Sequence, residues 1–236
     1  MNLFANDPKT LTLAFLGGII PSLLWLWFWL REDDKNPEPK GVLTIVFIMG
    51  MLAVMAVLPI QKFIKTHIAS TQIEIILWAS AEEIIKYIAV LMVLYKNNVA
   101  DEPIDWPIYM ITVALGFAAL ENMLFLVKPF SIDQAAVALL TGQLRFLGST
   151  LLHTISSGII GLAIGISFYM QEWKKEWLLF FGFIISIALH SVFNFFIING
   201  DGISYLKILA FLWVTTIVVM LLFEKVRRMS EKIINQ

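Results

Sequence analysis

Long apolar runs, separated by short polar segments, follow one another along almost the whole chain. Each run holds about twenty residues, the length that an α-helix needs to cross the hydrocarbon core of a bilayer. Such runs predict seven membrane spans, at residues 10–30, 41–60, 73–95, 107–127, 142–170, 177–198 and 204–223. The pattern therefore predicts an all-α fold, a polytopic transmembrane helical bundle of seven spans, or eight if a connector hides a further pass.

Two of the connecting segments are amphipathic. Residues 61–72 carry Lys62, Lys65 and His67 among apolar residues, and residues 128–141 are apolar enough to lie along the membrane interface. We expect His67 to be solvated among the charges of its connector. This leaves His153 and His190 as the two imidazoles inside predicted spans.

Composition agrees with a membrane protein and excludes several kinds of site. Hydrophobic residues make up 59% of the chain and charged residues 15%, against about 45–50% and 25% in soluble domains. We therefore expect a multi-pass protein of the cell membrane, with one domain over residues 1–236 and the lipid bilayer as its surroundings. A net charge of −1 offers no basic surface for nucleic acid. Because cysteine is absent, disulfides, thiol nucleophiles and thiolate metal sites are excluded.

The third predicted span carries three charged side chains near its middle. Glu82, Glu83 and Lys86 lie within five residues, and an ionisable group at the bilayer centre costs about 2.5–3.5 kcal/mol. Glu82 and Lys86 are four residues apart on one helix face, so we expect them to pair. Glu83 points about 100° away and needs a partner from another helix. Such charges indicate a functional site by default, and an ion pair that only packs the bundle is the alternative.

Further polar residues lie in the next three spans: Glu121, Asn122, Arg145, His153, His190 and Asn194. Glu83 and His153 are each about ten residues, or about 15 Å, along their helices. Glu121 and His190 lie about 14 residues from the opposite ends of theirs, or about 21 Å up a core about 30 Å thick. The sequence therefore predicts that these groups share one layer, roughly 9–15 Å below one membrane surface.

Two kinds of chemistry fit this layer. A divalent metal such as zinc takes three protein ligands and a water in catalytic sites, and the candidate ligands are Glu83, Glu121, His153 and His190. Alternatively, no metal is bound, a glutamate acts as general base, and a histidine donates to a developing oxyanion. Either arrangement would activate a water molecule inside the membrane.

Four polar motifs occur in order along the chain. They are Glu82-Glu83-x-x-Lys86, Phe117-x-x-x-Glu121-Asn122, His153 followed by Ser156, Ser157 and Gly158, and His190-x-x-x-Asn194. Together they resemble the ordered motifs of PrsW-type intramembrane proteases, relatives of the type II CAAX-processing endopeptidases and of bacteriocin-immunity proteins. The segment Pro37-Glu38-Pro39 is similar to a further feature of this family, and the resemblance covers roughly residues 31–195.

The resemblance implies an intramembrane endopeptidase whose substrate is a membrane-anchored protein. In the family's best-known case that substrate is an anti-sigma factor. The residues that match the family's catalytic motifs are Glu82, Glu83, Glu121, His153, His190 and Asn194. CAAX-processing relatives usually have histidine where Glu121 stands and arginine one position after Lys86, so both departures favour the PrsW branch over prenyl-protein processing.

The roles implied are those of water activation and charge stabilisation. We expect Glu82 or Glu83 to polarise the attacking water and Glu121 to share a proton or a metal ion. The two histidines would complete the metal shell or stabilise the oxyanion, with Asn194 orienting them or donating alongside. Three further residues have expected supporting roles. Lys86 would offset the negative charge of Glu82, Arg145 would offset that of Glu121, and Asn122 would support the site beside Glu121.

Two other classes of protein remain open at this point. Intramembrane Glu and His chains also form proton or cation relays in transporters, although the chain has no obvious inverted repeat. An interaction or immunity protein could keep the fold and bind a partner without cleaving it.

Overall fold

The computed structural model describes residues 7–31, 37–95, 99–132, 134–199 and 202–234. These residues form eight α-helices: α1 Pro8–Leu30, α2 Lys40–His67, α3 Thr71–Leu94, α4 Asp105–Ser131, α5 Ala135–Leu144, α6 Thr150–Ser167, α7 Glu172–Asn199 and α8 Gly202–Ile234. A π-helical turn, Arg145–Ser149, joins α5 to α6 without a break. The predicted all-α fold is therefore confirmed.

Six helical stretches are long and apolar enough to cross a membrane: Pro8–Leu30, Lys40–His67, Asp105–Ser131, Ala136–Ser167, Glu172–Ile198 and Leu206–Ser230. They correspond to six of the seven predicted spans. The remaining predicted span is α3, which has 24 residues but is less apolar because it carries Glu74 as well as the central charges. The bundle thus has roughly the predicted number of spans.

Both predicted connectors are largely helical. α2 continues through residues 61–67 and ends at His67, because Ile64 is buried and packing extends the helix beyond its most apolar part. α4 likewise continues to Ser131, and α5 begins at Ala135. The helical bounds predicted at these two places were therefore wrong. His67 is exposed, as expected.

Helix α4 lies at the centre of the bundle. Its side chains are buried without interruption from Pro107 to Ala119, and it packs against α1, α2 and α6. The outer helices leave many large apolar side chains exposed, among them Trp27, Met55 and Leu221. Exposed apolar surface of this extent is expected where a helix contacts lipid instead of water.

Two glycines bring the backbones of α2 and α4 into direct contact. A Cβ atom added to Gly50 would collide with the carbonyl oxygen of Val113. A Cβ atom on Gly116 would collide with the carbonyl oxygen of Phe47. Small residues allow such close crossings in membrane helices, and here they fix α2 against the central helix.

Three glycines on one face of α6 serve the same purpose. Gly158, Gly161 and Gly165 all face α4 or the segment before it. A Cβ atom on Gly161 would lie 2.5 Å from Pro107 Cα, and one on Gly165 would collide with the carbonyl of Pro103. This face of α6 therefore packs closely against the start of α4 and the segment before it.

Candidate active site

Four helices bring the predicted polar residues into one cluster, as their common depth requires. Glu82, Glu83 and Lys86 come from α3, Glu121 from α4, His153 from α6 and His190 from α7. The cluster is almost completely buried, since the largest exposed fractions of its side chains are 21% on Glu121 and 16% on its partner Arg145. A cluster of charged groups so deep in an apolar bundle requires many internal hydrogen bonds.

Glu83 receives four donors. Lys86 Nζ lies 2.7 Å and His190 Nδ1 2.8 Å from Glu83 Oε1. Ser156 Oγ donates to the same oxygen at 3.1 Å, and Ser157 Oγ donates to Oε2 at 2.6 Å. Because both oxygens are engaged, this carboxylate acts as a fixed anchor for the surrounding side chains.

The predicted pairing of Lys86 with Glu82 was wrong. Lys86 pairs with Glu83, three residues earlier, instead of with the residue four positions earlier. Both spacings place side chains on one helix face, so the direction of the neighbouring helices decides between them. Glu83 faces α6 and α7, whereas Glu82 also reaches α2, where Gln61 Nε2 donates to its Oε1 at 2.8 Å.

The second oxygen of Glu82 has no hydrogen-bond partner although it is buried. It faces two imidazole nitrogens, with His190 Nε2 at 3.5 Å and His153 Nδ1 at 3.8 Å. The two rings are themselves adjacent, with centroids 5.0 Å apart. A buried carboxylate oxygen without a donor is costly, so a positively charged ligand between these three groups would remove the cost.

Hydrogen bonds on the far side of each ring decide its tautomer. His190 Nδ1 faces an acceptor, Glu83 Oε1, and His153 Nε2 faces Glu121 Oε2 at 3.1 Å. Carboxylates accept, so these nitrogens carry the protons. The lone pairs then lie on His190 Nε2 and His153 Nδ1, the two atoms nearest to Glu82 Oε2.

Glu82, His153 and His190 meet the basic requirements of a metal site. Their candidate ligand atoms all lie within 4.8 Å of one another, and all three residues are buried. Two imidazole nitrogens and one carboxylate oxygen form a common ligand set for catalytic zinc. Lys86 Nζ lies 3.1 Å from His153 Nδ1, a contact that agrees with a lone pair on this nitrogen and that a bound metal ion would have to displace. The residues therefore fit a bound metal ion.

This ligand set differs in its carboxylates from the one predicted from sequence. Both histidines belong to both sets, but Glu82 occupies the position that was expected for Glu83 and Glu121. Those two carboxylates bond to the outer nitrogens of the rings. Glu83 and Glu121 thus bind the candidate ligands from the side that faces away from Glu82.

Three residues at intervals of four contact a single oxygen of Glu121. Arg145 forms an ion pair with Oε2, Ser149 Oγ lies 3.4 Å from it, and His153 Nε2 lies 3.1 Å from it. Arg145 and Ser149 are the first and last residues of the π turn, and such turns occur frequently at functional sites. The predicted offset of Glu121 by Arg145 is confirmed.

Asn122 ties the same turn to the central helix. Arg145 Nε donates to its Oδ1 at 2.5 Å, and its Nδ2 donates to Thr150 Oγ1 at 2.8 Å. The amide therefore uses both its acceptor and its donor to hold the π turn against α4. Asn122 therefore contacts the arginine that pairs with Glu121, and its supporting role stays a prediction.

Asn194 is the one predicted residue that the structure does not join to the cluster. It lies one helical turn after His190 and is half-buried. In the part of the chain that the structure describes, its side chain makes no hydrogen bond, so its amide is available to an external group.

Comparison with known families decides the identity of the chain. The sequence profile of the PrsW family intramembrane metalloproteases matches residues 38–223, which include every residue of the cluster.

The chain belongs to the PrsW family.

Relatives named Protease PrsW agree over most of their length. The protein from Geobacillus kaustophilus is 28% identical over 202 residues, covering 83% of this chain and 86% of that protein. The protein from Clostridioides difficile is 31% identical over 195 residues, covering 77% of each chain. The protein from Bacillus subtilis is 25% identical over 202 residues, covering 83% and 88%. No solved structure matches this chain significantly.

Membership of the PrsW family confirms the predicted class of protein. The chain is an intramembrane protease and an integral, multi-pass membrane protein. The family is one of metalloproteases, and the buried group of Glu82, His153 and His190 could hold a metal ion. The transporter and immunity-protein alternatives find no support in these relatives.

Sequence reasoning on this PrsW protease missed three polar residues around the site. Ser149 and Thr150 precede His153 by four and three residues, so helical spacing could have placed them beside it. Gln61 was assigned to a connector because it follows the most apolar part of the second span. A polar side chain at the end of an apolar helix, level with charges on the next helix, is the signal that could have found it.

Proposed function

We propose that this PrsW-family protease hydrolyses a peptide bond of a membrane-anchored protein at a zinc site held by Glu82, His153 and His190. The observation that carries the proposal is the buried, unpartnered Oε2 of Glu82, which faces the lone-pair nitrogens of both histidines. A zinc ion held there would supply Lewis acidity to activate a water molecule and to polarise the scissile carbonyl.

The outer hydrogen bonds support this assignment of ligands. Metal-ligating histidines almost always donate their other N–H to a carboxylate, a backbone carbonyl or water, which fixes the ring and raises its basicity. His190 has Glu83 in that position and His153 has Glu121. Glu83, engaged by four donors, holds His190 in place and takes no part in proton transfer.

Glu121 is the candidate general base. Its Oε2 is held by Arg145, Ser149 and His153, whereas its Oε1 makes no hydrogen bond to any residue that the structure describes. The side chain is 21% exposed, which leaves part of it accessible to substrate and water. We assign to that oxygen the transfer of a proton from the attacking water to the leaving amine.

Asn194 is the candidate donor to the carbonyl oxygen of the substrate. Its amide is half-buried and lies on the same face of α7 as His190. An N–H donor positioned beside a developing oxyanion commonly contributes 10²–10³-fold to kcat, as a rough guide. Replacing Asn194 by alanine is expected to lower kcat by about that factor.

The depth of the site defines the substrate class. A peptide bond can reach the buried layer only if its chain enters the membrane, so the substrate is a protein with a membrane span. An anti-sigma factor with a single span belongs to this class.

Cleavage of a library of single-pass membrane proteins by detergent-purified enzyme tests the proposal. Wild type is compared with Glu82→Gln and His190→Ala, and with the matched controls Glu74→Gln on the same helix and His67→Ala on α2. We expect both site variants and chelator-treated wild type to lose cleavage, zinc to restore the treated enzyme, and both controls to remain active.

Two results would contradict it. Full activity in chelator, with loss in Glu82→Gln, would show that Glu82 acts as a base without a metal. The second result is a wild type that cleaves no member of the library but moves ions in proteoliposomes. It would favour the hypothesis of a proton or cation relay over that of a protease.

A further inference from the structure

Gln61 is a half-buried polar residue of α2 that lies beside the cluster but was not predicted to belong to it. Its Nε2 donates to Glu82 Oε1 at 2.8 Å and connects residues that are 21 positions apart in sequence. It is the one side chain of α2 that bonds directly to Glu82 among the residues that the structure describes. α2 therefore contributes to the site through a single amide.

The position of Gln61 is fixed twice by α3. The indole N–H of Trp78 donates to the backbone carbonyl of Gln61 at 3.2 Å. Trp78 and Glu82 are four residues apart and share one face of α3. That face therefore holds both the backbone and the side chain of Gln61, so the amide is held in one orientation.

The hydrogen bond decides which oxygen of Glu82 faces the histidines. With Oε1 bonded to Gln61, Oε2 is directed toward His153 and His190. An amide N–H is a neutral donor, so it orients the carboxylate without offsetting its charge. A lysine or arginine at position 61 would do both, and the nearby Lys86 pairs with Glu83 instead.

Gln61 completes a pattern around the three candidate ligands. His190 is backed by Glu83, His153 by Glu121, and Glu82 by Gln61, so each ligand has one outer partner. We infer that Gln61 is a positioning residue, which holds Glu82 in the rotamer that binds the metal ion. This inference rests on the proposed zinc site.

The decisive variant is Gln61→Met, which keeps the length and bulk of the side chain and removes its N–H donor. Outer-partner mutations lower metal affinity or activity by about 10–100-fold. We expect Gln61→Met to weaken zinc binding, measured by equilibrium dialysis of purified protein, by about that factor. In cleavage assays at limiting zinc, kcat falls while KM stays unchanged, because Gln61 does not contact the substrate, and excess zinc restores kcat. Gln143→Met, an exposed glutamine of α5, serves as the matched control.

The outcomes separate the inference from the function on which it rests. If wild type binds zinc and Gln61→Met binds it equally well with unchanged kcat, Gln61 only packs α2 against α3 and the inference is wrong. If Gln61→Met loses folded protein in a thermal melt, Gln61→Leu provides the same comparison, since its side chain also lacks a donor. If wild type neither binds zinc nor cleaves, the proposed function fails, and the inference fails with it.

Discussion

The ammonium group of Lys86 lies 2.7 Å from Glu83 Oε1, and neither side chain has exposed surface. The same ammonium lies 3.1 Å from His153 Nδ1 and 4.7 Å from the centre of the Phe117 ring. One cation thus connects the second glutamate of the paired motif to a candidate metal ligand. Lys86 also neutralises Glu83, so the charge of Glu82 remains available for the ligand.

Replacement of Lys86 by methionine is expected to destabilise the protein strongly. Glu83 would remain buried without its cation, and breaking a buried ion pair in this way costs about 3–5 kcal/mol. The free energy of unfolding in mixed detergent measures the loss. Lys175→Met is the control, because its pair with Glu172 is largely exposed and is worth less than about 1 kcal/mol. Similar losses in the two variants would contradict the assignment.

Arg145→Lys is expected to lower kcat although the charge is retained. The guanidinium bonds to Glu121, Asn122 and Ser149 at once, and a lysine ammonium cannot reproduce that planar fork. We expect a decrease of about 10–100-fold in kcat, measured on a cleaved substrate. Arg228→Lys is the control for the substitution itself, because the side chain of Arg228 is 71% exposed. A fully active Arg145→Lys would show that Arg145 does not need to hold Glu121 in place.

Gly116→Ala is expected to separate α2 from α4. The added methyl group would meet the backbone carbonyl of Phe47, which cannot rotate away, so overpacking costs about 1–3 kcal/mol or more. Unfolding in detergent measures this loss. A methyl group on Gly41 meets no atom within 4 Å, so Gly41→Ala should retain wild-type stability. Unchanged stability in Gly116→Ala would show that the crossing relaxes easily.

Tyr109→Phe is expected to reduce stability and to leave zinc affinity unchanged. The hydroxyl of Tyr109 donates to Glu38, the glutamate between two prolines before α2, and both side chains are buried. Hydrogen bonds to charged groups contribute about 1.5–3 kcal/mol. Tyr109 lies twelve residues before Glu121 on α4, or about 18 Å away. A change in zinc affinity would instead connect the Pro37-Glu38-Pro39 segment to the site.

The spans and the common depth of the polar residues followed directly from the sequence. A hydrophobic run of about twenty residues has few other uses, and counting residues along helices placed Glu121, His153 and His190 in one layer. The rise per residue hardly varies between helices. It is therefore enough to predict which residues lie at the same depth in the bundle.

The rotation of each helix about its own axis could not be predicted from the rise per residue. Lys86 can reach either Glu82 or Glu83 by spacing alone, and the choice depends on Ser156, Ser157 and His190 from two other helices. The choice of candidate metal ligands depends on it in turn. Tertiary contacts of this kind leave no periodic signal in the chain.

The π turn at Arg145–Ser149 has five residues, and this length affects the site as well as the identity of its side chains. Removing one of residues 146–148 would leave both Arg145 and Ser149 in the chain, yet it would convert the turn to regular α-helix. A π turn winds the chain by less per residue than the roughly 100° of an α-helix, so the deletion would change the angle between Arg145 and His153 by far less than 100°. It would act mainly inside the turn, where Ser149 contacts Glu121, and would leave α5 close to its present orientation.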